Sequence, residues 1–191
     1  ILSPQLTHTI TESPQNALKV EPYIIDTSWY SQLPVTPLNP DEIGTDLVAN
    51  ALAGWRRFNN SFLVVDFGTA LTYTLVNRQG QIEGVAIAPG VETSMNTLVS
   101  NAAQLPQVSL DLPDFALGKN TVEAMKAGIL WGFIGQVEYM VNKIRQEFDP
   151  EYTIATGGLS GTLQPLEKTF DSIDKHLTIK GLRFFYEIAS A

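Results

Sequence analysis

Asp66 stands where a buried strand could deliver a carboxylate to a phosphate site. It follows the apolar run at 62–65 and precedes Phe67, Gly68 and Thr69. In such a turn the glycine lets the backbone approach a phosphate, the threonine hydroxyl can donate to it, and the aspartate can hold a neutralising cation. The pattern indicates a phosphate and cation site. The alternative is a β-hairpin in which Asp66 only caps a turn.

Asp46 is the second candidate for chemistry, because its position in the chain is locally unfavourable. The segment at 39–46 reads NPDEIGTD, and Asn39 as N-cap with Glu42 as its capping partner predicts a helix from there to about residue 58. Gly44 and Asp46 would then lie inside the helix, where glycine and aspartate are poor residues. Such a local cost indicates a functional site, and a frayed first turn is the alternative.

Extended and helical patterns alternate along the chain. Short runs rich in β-branched and aromatic residues, separated by Gly, Pro and Asn, predict strands. Apolar residues at helical spacing predict amphipathic helices. The predicted strands are 23–25, 62–65, 71–76, 81–88 and 151–155, and the predicted helices are about 39–58, 90–104, 121–148, 161–168 and 181–191.

The longest helical pattern, at 121–148, carries two different faces. One is an ordinary apolar stripe of the kind that packs on a core. The other is made of small residues, and each glycine there costs about 1 kcal/mol of helix stability relative to alanine. This small-residue face predicts a close-packed neighbour, either another helix of the same chain or a second copy. The stripe is Leu130, Phe133, Ile134, Val137, Met140, Val141 and Ile144, and the small-residue face is Ala124, Gly128, Gly132 and Gly135.

The composition argues against several classes of protein. Of the 191 residues, 44% are hydrophobic and 17% charged, which suits one domain or two small ones with a filled core. A net charge of −8 argues against a nucleic-acid surface and a basic membrane patch. The absence of cysteine excludes disulfides and thiolate metal sites and fits a cytoplasmic location. No apolar run approaches the roughly 20 residues that a membrane span requires.

The histidines and tryptophans are interpreted as structural. His8 and His176 are isolated in the sequence, so we expect both at the surface and not in a metal site. Large aromatic side chains are normally buried for packing, so we expect Trp29, Trp55 and Trp131 in a core or an interface.

Five motifs, taken in order, resemble those of the type III pantothenate kinases in the sugar-kinase/Hsp70/actin superfamily. They are NPDEIGTD at 39–46, DFGTA at 66–70, EGVAIAPG at 83–90, GKNT at 118–121 and ATGG at 155–158, and LTIKGL at 177–182 is similar to the family's closing segment. The resemblance covers essentially the whole chain. It implies an α/β, actin-like and ribonuclease H-like ATPase fold, in which helices flank a mixed sheet and the first half-domain is incomplete.

The resemblance also implies how the chain is divided. Residues 1–60 would be the remainder of the N-terminal half-domain with a linking helix, and residues 61–191 the C-terminal actin-like half-domain. The family begins with a strand that carries an Asp-x-Gly-Asn-Thr phosphate loop, and residues 1–22 do not resemble it. We therefore expect this chain to start after that loop, which puts the activity of the chain alone in doubt.

A kinase of this family would transfer phosphate from ATP to the primary hydroxyl of pantothenate, the first step toward coenzyme A. The resemblance makes Asp46 the general base that accepts the hydroxyl proton. Asp66 would hold a monovalent cation, K⁺, and Mg²⁺ would accompany ATP. The residues placed against pantothenate are Gly44, Thr45, Asp46, Leu47 and Thr121, and those placed against the nucleotide are Gly68, Thr69, Gly157 and Gly158.

The family is dimeric and completes its pantothenate pocket from the partner subunit. The resemblance therefore implies a homodimer in the cytoplasm, with pantothenate and ATP as ligands and neither a nucleic acid nor a membrane as partner. Thr121 begins the helix that bears the small-residue face, which would couple the interface to the site.

Leu47 departs from the family pattern, which has an arginine beside the catalytic aspartate. A leucine cannot make charge-assisted hydrogen bonds to the pantothenate carboxylate. Arg56 and Arg57 are candidates to replace that arginine, although both could be solvated charges at a helix end. Two other functions stay open, namely a non-catalytic binding or regulatory relative of the kinase and a kinase for another, less anionic small alcohol.

Overall fold

The computed structural model describes residues 24–102, 104–159 and 164–190 of the chain. Its strands are β1 (Phe62–Phe67), β2 (Ala70–Val76), β3 (Ile82–Pro89), β4 (Tyr152–Thr156) and β5 (Ser172–Ile173). Its α-helices are α1 (Thr45–Phe58), α2 (Val91–Asn101), α3 (Thr121–Lys126), α4 (Gly132–Phe148) and α5 (Leu177–Ala189). A π-helical turn, Ala127–Trp131, joins α3 to α4, and 3-10 helices span Thr27–Gln32 and Gln164–Thr169. Within these ranges, every helix is too short or too polar to cross a membrane.

The five strands form one mixed sheet in the order β3-β2-β1-β4-β5. Strands β1, β2 and β3 correspond to the three extended runs predicted at 62–65, 71–76 and 81–88, and each pairs antiparallel with the next. Strand β4 lies parallel to β1 on its other side, and β5 lies parallel to β4. The parallel pair brings the carboxyl ends of β1 and β4 to one edge of the sheet, so segments that follow these two strands meet there.

Alternate residues of β1 enter two separate cores, one on each face of the sheet. Leu63 and Val65 pack with α4 on one face. Phe62 and Val64 pack with α1 and α5 on the other face. Asp66 is the next member of the second set, so the alternation of the strand directs its side chain toward α1.

Helix α1 begins later than the sequence predicts. A separate turn precedes it, in which the Asn39 amide donates to the Glu42 carboxylate at 3.2 Å. Gly44 is the N-cap, with φ −63° and ψ 136°, and Thr45 is the first helical residue. The predicted start at Asn39 was wrong because the side chain of Asn39 satisfies a local turn in place of a helix. Asp46 therefore lies in the first turn of α1 and not in a helix interior.

The long helical pattern at 121–148 forms α3, the π-helical turn and α4. Its apolar stripe faces the core on the α4 side of the sheet, as predicted. The small-residue face points away from that core, and a Cβ added to Gly128, Gly132 or Gly135 would meet no atom within 4 Å. The possibility that another helix of the same chain covers this face is therefore wrong for the described residues.

The extended pattern at 23–25 does not form a strand over its described residues. Ile24 and Ile25 have no regular structure, and Tyr23 lies outside the described ranges. Asp26 then caps the 3-10 helix that follows by accepting from Ser28 N at 2.9 Å. The chain turns here and does not join the sheet.

The C-terminal elements differ from the sequence prediction in their bounds. Helix α5 begins at Leu177, one turn before the predicted start at residue 181. The helix predicted near 161–168 is a 3-10 helix over its described part, and residues 160–163 lie outside the described ranges.

The expected burial of the tryptophans and the expected surface position of His176 are confirmed. Trp29, Trp55 and Trp131 are partly buried against the two cores. His176 is exposed just before α5, and His8 lies outside the described residues.

Candidate active site

A cavity of about 700 Å³ opens between the start of α1, the turn that joins β1 to β2, and strand β3. Its size is that of a pocket for a small organic ligand. It brings together residues that the sequence places in two separate motifs. The predicted site residues that line it are Gly44, Asp46, Leu47, Asp66, Gly68 and Thr69.

Asp66 is a half-buried carboxylate with a fixed neighbour. Asn50 Nδ2 in α1 donates to Asp66 Oδ2 at 2.8 Å, and Asn50 itself is fully buried. Burial raises the pKa of Asp66, the hydrogen bond from Asn50 opposes that rise, and the negative charge of Asp46 adds to it. The charged form of Asp66 is therefore costly unless a cation accompanies it.

Asp46 faces the same cavity from the first turn of α1. Its side chain is exposed, and its charge lies close enough to act on Asp66. A Cβ added to Gly44 would collide with Asp46 Oδ1, so the glycine N-cap leaves the space that the carboxylate occupies. The helix dipole favours a negative charge in this turn. The cavity thus contains two aspartates in contrasting environments, one exposed and one largely desolvated.

The turn between β1 and β2 is anchored through its backbone. Gly68 N donates to Ala70 O at 3.2 Å. The carbonyl of Thr69 accepts from Gly90 N at 3.0 Å and from Thr93 Oγ1 at 2.7 Å, which ties the turn to the start of α2. Thr69 itself is exposed at the cavity, in a position to meet a ligand phosphate.

Gly157 and Gly158 follow β4 at the same edge of the sheet. Gly157 has φ +93°, and a Cβ there would lie 2.6 Å from both Asp66 Oδ1 and Phe67 O. Glycine is therefore required for the chain to pass Asp66 this closely. Gly158 is exposed, and a Cβ added to it would meet no atom within 4 Å. The two predicted nucleotide segments thus meet at Asp66.

Two threonine hydroxyls flank Asp66 within the sheet. Thr72 in β2 and Thr156 in β4 are its register partners, so the three side chains share one face. Both hydroxyl oxygens are buried and have no hydrogen-bond partner in the described part of the chain. Buried polar atoms are normally paired, and oxygen donors beside a carboxylate suit a hard cation.

Thr178 in α5 joins this cluster through Asn50. Its Oγ1 donates to Asn50 Oδ1 at 2.7 Å, while the amide nitrogen of Asn50 donates to Asp66. Sequence reasoning missed both residues. The signal that could have found Asn50 is its place between Ala49 and Ala51 on a helix whose inner face is otherwise apolar, because a buried amide needs partners.

Among the described residues, the charged side chains that line the cavity are all acidic, namely Glu42, Asp46 and Asp66. Leu47 lines the cavity where the family pattern has an arginine, and it is only 7% exposed. Anionic ligands such as ATP and pantothenate would therefore be repelled unless cations enter with them.

Arg56 and Arg57 do not supply the missing positive charge in this structure. They lie at the other end of α1 and do not line the cavity. Arg56 forms an ion pair with Glu187 at 2.8 Å, and Arg57 lies 3.9 Å from Asp174. These arginines hold α1 to the C-terminal part of the fold, so the suggestion that they replace the family arginine is wrong for the cavity of this chain.

Thr45 and Thr121 of this chain do not line the cavity. Thr121 is the exposed first residue of α3, and Asn120 caps that helix by accepting from Glu123 N at 3.0 Å. Asn120, and not Thr121, is therefore the N-cap of α3. The structure does not bring Thr121 to the two aspartates of the same chain.

The sequence matches the family model for type III pantothenate kinase over residues 2–143. It is 37% identical to the type III pantothenate kinase of Citrifermentans bemidjiense over 185 residues, which are 96% of this chain and 73% of that protein. It is 39% identical to the protein of the same name from Moorella thermoacetica over 185 residues, again 96% of this chain and 73% of the relative.

Solved structures agree on the fold. A Campylobacter jejuni protein described as a Baf family transcriptional activator has a TM-score of 0.57 at 18% identity, covering 95% of this chain and 79% of that one. The ethanolamine utilization protein EutJ from Carboxydothermus hydrogenoformans has a TM-score of 0.50 at 14% identity, covering 95% and 72%. These likenesses show only the fold, which is that of the actin-like ATPases. The family match and the sequence identities establish that this chain belongs to the type III pantothenate kinase family.

Proposed function

We propose that this chain, as a type III pantothenate kinase, phosphorylates the primary hydroxyl of pantothenate with ATP in coenzyme A biosynthesis, using Asp46 as general base. The observation that carries the proposal is the single cavity with two aspartates in contrasting environments. Phosphoryl transfer depends on positioning and charge neutralisation more than on covalent chemistry. The exposed Asp46 would meet the hydroxyl as the base, and the desolvated Asp66 would hold the cation that neutralises charge.

Asp46 suits the role of base because it is exposed at the cavity and held on a regular helix. A general base must come within hydrogen-bond reach of the hydroxyl that it deprotonates. Its place in the first turn of α1 fixes the backbone, and the glycine at position 44 leaves its carboxylate room. Proton acceptance by such a group typically contributes about 10²–10⁴-fold to the rate.

Asp66 suits a monovalent cation because its neighbours are oxygen atoms in need of a partner. The hydroxyls of Thr72 and Thr156 would join its carboxylate as ligands. When bound, the cation would offset the repulsion between Asp66 and the phosphates of ATP. The raised pKa of Asp66, caused first by burial, supports this role, because a cation favours the charged form that burial disfavours.

The nucleotide would lie at the edge of the sheet where β1 and β4 end. Gly68 and Thr69 would contact its phosphates, and Gly157 and Gly158 would let it approach the backbone. Within the described residues no three His, Cys, Asp or Glu side chains cluster to hold a metal ion. We therefore assign Mg²⁺ to the ATP phosphates, which is how this ion commonly binds in kinases.

The pantothenate end of the cavity would be formed by Gly44, Leu47 and a second protomer. The small-residue face of α3 and α4 is exposed and admits close approach of another helix. We propose that a homodimer buries this face about a twofold axis, and that Thr121 of each protomer reaches the cavity of the other. Thr45 would support the start of α1. A cytoplasmic location and a division of the chain near residue 60 belong to the same proposal.

The reaction is tested by measuring ADP release from the intact gene product with ATP and pantothenate. Pantothenate-dependent release is expected, and direct detection of 4'-phosphopantothenate confirms the product. ADP release with another small alcohol but not with pantothenate would favour a kinase for that alcohol, which is the alternative that Leu47 suggests. Cavity ligands that bind without any turnover would favour the non-catalytic relative.

The cation is tested by titrating K⁺ against Na⁺ at constant ionic strength. We expect activity to rise with K⁺ and to fail with a large organic cation that cannot reach Asp66. Equal activity in all three salts would remove the cation from the proposal while leaving Asp46 in place.

A further inference from the structure

Three side chains from three elements form a hydrogen-bonded relay that ends at Asp66. Thr178 in α5 donates to Asn50 in α1 at 2.7 Å, and Asn50 donates to Asp66 in β1 at 2.8 Å. Thr178 and Asn50 are 128 residues apart in sequence. Only the packing of α5 on α1 brings them together.

The direction of both hydrogen bonds follows from the groups at the two ends of the relay, the Asp66 carboxylate and the Thr178 hydroxyl. A charged carboxylate can only accept hydrogen bonds, so the amide of Asn50 must present its nitrogen to Asp66. Its oxygen then points to Thr178, whose hydroxyl can donate. Asn50 is fully buried, so without Thr178 its oxygen would lack this partner in a site closed to water. The hydroxyl therefore holds the amide in the orientation that serves Asp66.

Helix α5 is placed so that this hydroxyl reaches Asn50. Gly181 lies one turn after Thr178 on the same side of the helix and packs against the backbone of Ala49. A side chain at Gly181 would push the two helices apart, which would lengthen the bond between Thr178 and Asn50. Gly181 and Thr178 thus contact two adjacent residues of α1, Ala49 and Asn50.

We propose that Asn50 and Thr178 are positioning residues for the phosphate-transfer site, which hold the Asp66 carboxylate in the orientation that binds the monovalent cation. This inference rests on the cation role proposed for Asp66. It assigns to the C-terminal helix a function in the reaction, since one of its hydroxyl groups sets the geometry of a site on β1.

The test compares Thr178→Val, which keeps the shape and removes the hydroxyl, with Thr178→Ser, which keeps the hydroxyl. Loss of a charge-assisted hydrogen bond network of this kind should raise the half-saturating K⁺ concentration roughly tenfold in Thr178→Val. Thr178→Ser should restore a value near that of the unmodified protein. Ile134→Val in α4 is a matched control, because it weakens the distant core slightly and touches no member of the relay.

A second readout does not depend on activity. Thermal unfolding in a K⁺ titration supplies it. The K⁺ concentration that raises the melting temperature half-maximally should increase roughly tenfold in Thr178→Val, because Asn50 no longer holds the Asp66 carboxylate in the orientation that binds the cation.

The outcomes separate the relay from the kinase proposal. An unchanged K⁺ requirement in Thr178→Val, in both activity and thermal stabilisation, would overturn the relay, even if that variant is less stable. Weaker thermal stabilisation of Thr178→Val by K⁺ in a protein without pantothenate kinase activity would support the relay and reject the proposed reaction. If Thr178→Val does not fold, Thr178→Ala removes the same hydroxyl without added bulk and carries the comparison.

Discussion

Gly181 of α5 lies directly against the backbone of Ala49 in α1. A Cβ at Gly181 would collide with the carbonyl of Ala49, so the two helices can approach this closely only with glycine at the contact. The contact closes the core on the α1 side of the sheet and fixes the helix that carries Thr178 relative to the helix that carries Asp46.

Gly181→Ala should destabilise the fold by about 1–3 kcal/mol, because the added methyl group meets backbone atoms that cannot rotate away. Denaturant unfolding measures the change. Ile179→Ala is the control, because this side chain is exposed on the same helix, and it should change the free energy of unfolding by less than about 0.5 kcal/mol. Both variants are compared at a concentration where sedimentation shows the same species as the unmodified protein. A Gly181→Ala protein of unchanged stability would contradict the packing.

Asp46→Asn should lower kcat by about 10²–10⁴-fold in the intact enzyme, because an amide cannot accept the hydroxyl proton. The side chain is exposed, so the circular dichroism spectrum and the melting temperature should be close to those of the unmodified protein. Asp41→Asn, an exposed aspartate that precedes α1 and does not line the cavity, is the matched control. Near-normal turnover of Asp46→Asn would remove this residue from the mechanism.

Asp66→Asn should abolish K⁺-dependent activity and yet stabilise the protein when no cation is bound. Burial raises the pKa of Asp66 in the folded protein. The contribution of this carboxyl to the free energy of unfolding is therefore most favourable below its ordinary pKa of 3.8, and it is lost as the pH rises through the raised pKa. The difference in melting temperature should therefore be large near neutral pH and vanish in acid. Added K⁺ should stabilise only the unmodified protein, by about 2.7 kcal/mol at a hundredfold excess over its Kd. A less stable Asp66→Asn protein without K⁺ would contradict this reasoning.

Leu47→Arg should lower the KM for pantothenate about tenfold or more, because a guanidinium in the cavity can bind the substrate carboxylate. Leu47→Met keeps the apolar character and volume and should leave the KM unchanged. The comparison needs both variants folded, which circular dichroism establishes. An unchanged or raised KM in Leu47→Arg would favour a different substrate.

Gly132→Leu should convert a dimer into a folded monomer. A Cβ at this position meets no described atom within 4 Å, and leucine is the better helix former by up to about 1 kcal/mol, so the protomer should keep its fold. A leucine on the small-residue face would instead separate two backbones packed across a twofold axis. Sedimentation and circular dichroism measure the two effects, and Glu138→Leu, exposed on α4 but off that face, is the control. An intact dimer of Gly132→Leu would place the interface elsewhere.

Local signals in the sequence identified Asp66 and much of the fold around it. The alternation in β1 and the Gly-Thr turn that follows depend on neighbouring residues, so both can be read from the chain. The start of α1 could not be read in this way, because the Asn39–Glu42 pair suits a helix cap and a local turn equally well. The division of the chain near residue 60 stays a prediction.

The sequence by itself determined the order of the motifs, the family, and the two aspartates, because each is encoded within a few consecutive residues. Only the tertiary structure decided which groups surround Asp66. Thr72 and Thr156 reach it through strand register, and Thr178 reaches it through Asn50 across 128 residues of chain. The sequence likewise predicted a close neighbour for the small-residue face, but only the packing of α4 in the tertiary structure shows that this face is exposed. Contacts between distant residues depend on how helices pack on the sheet, and that packing leaves no local pattern in the sequence.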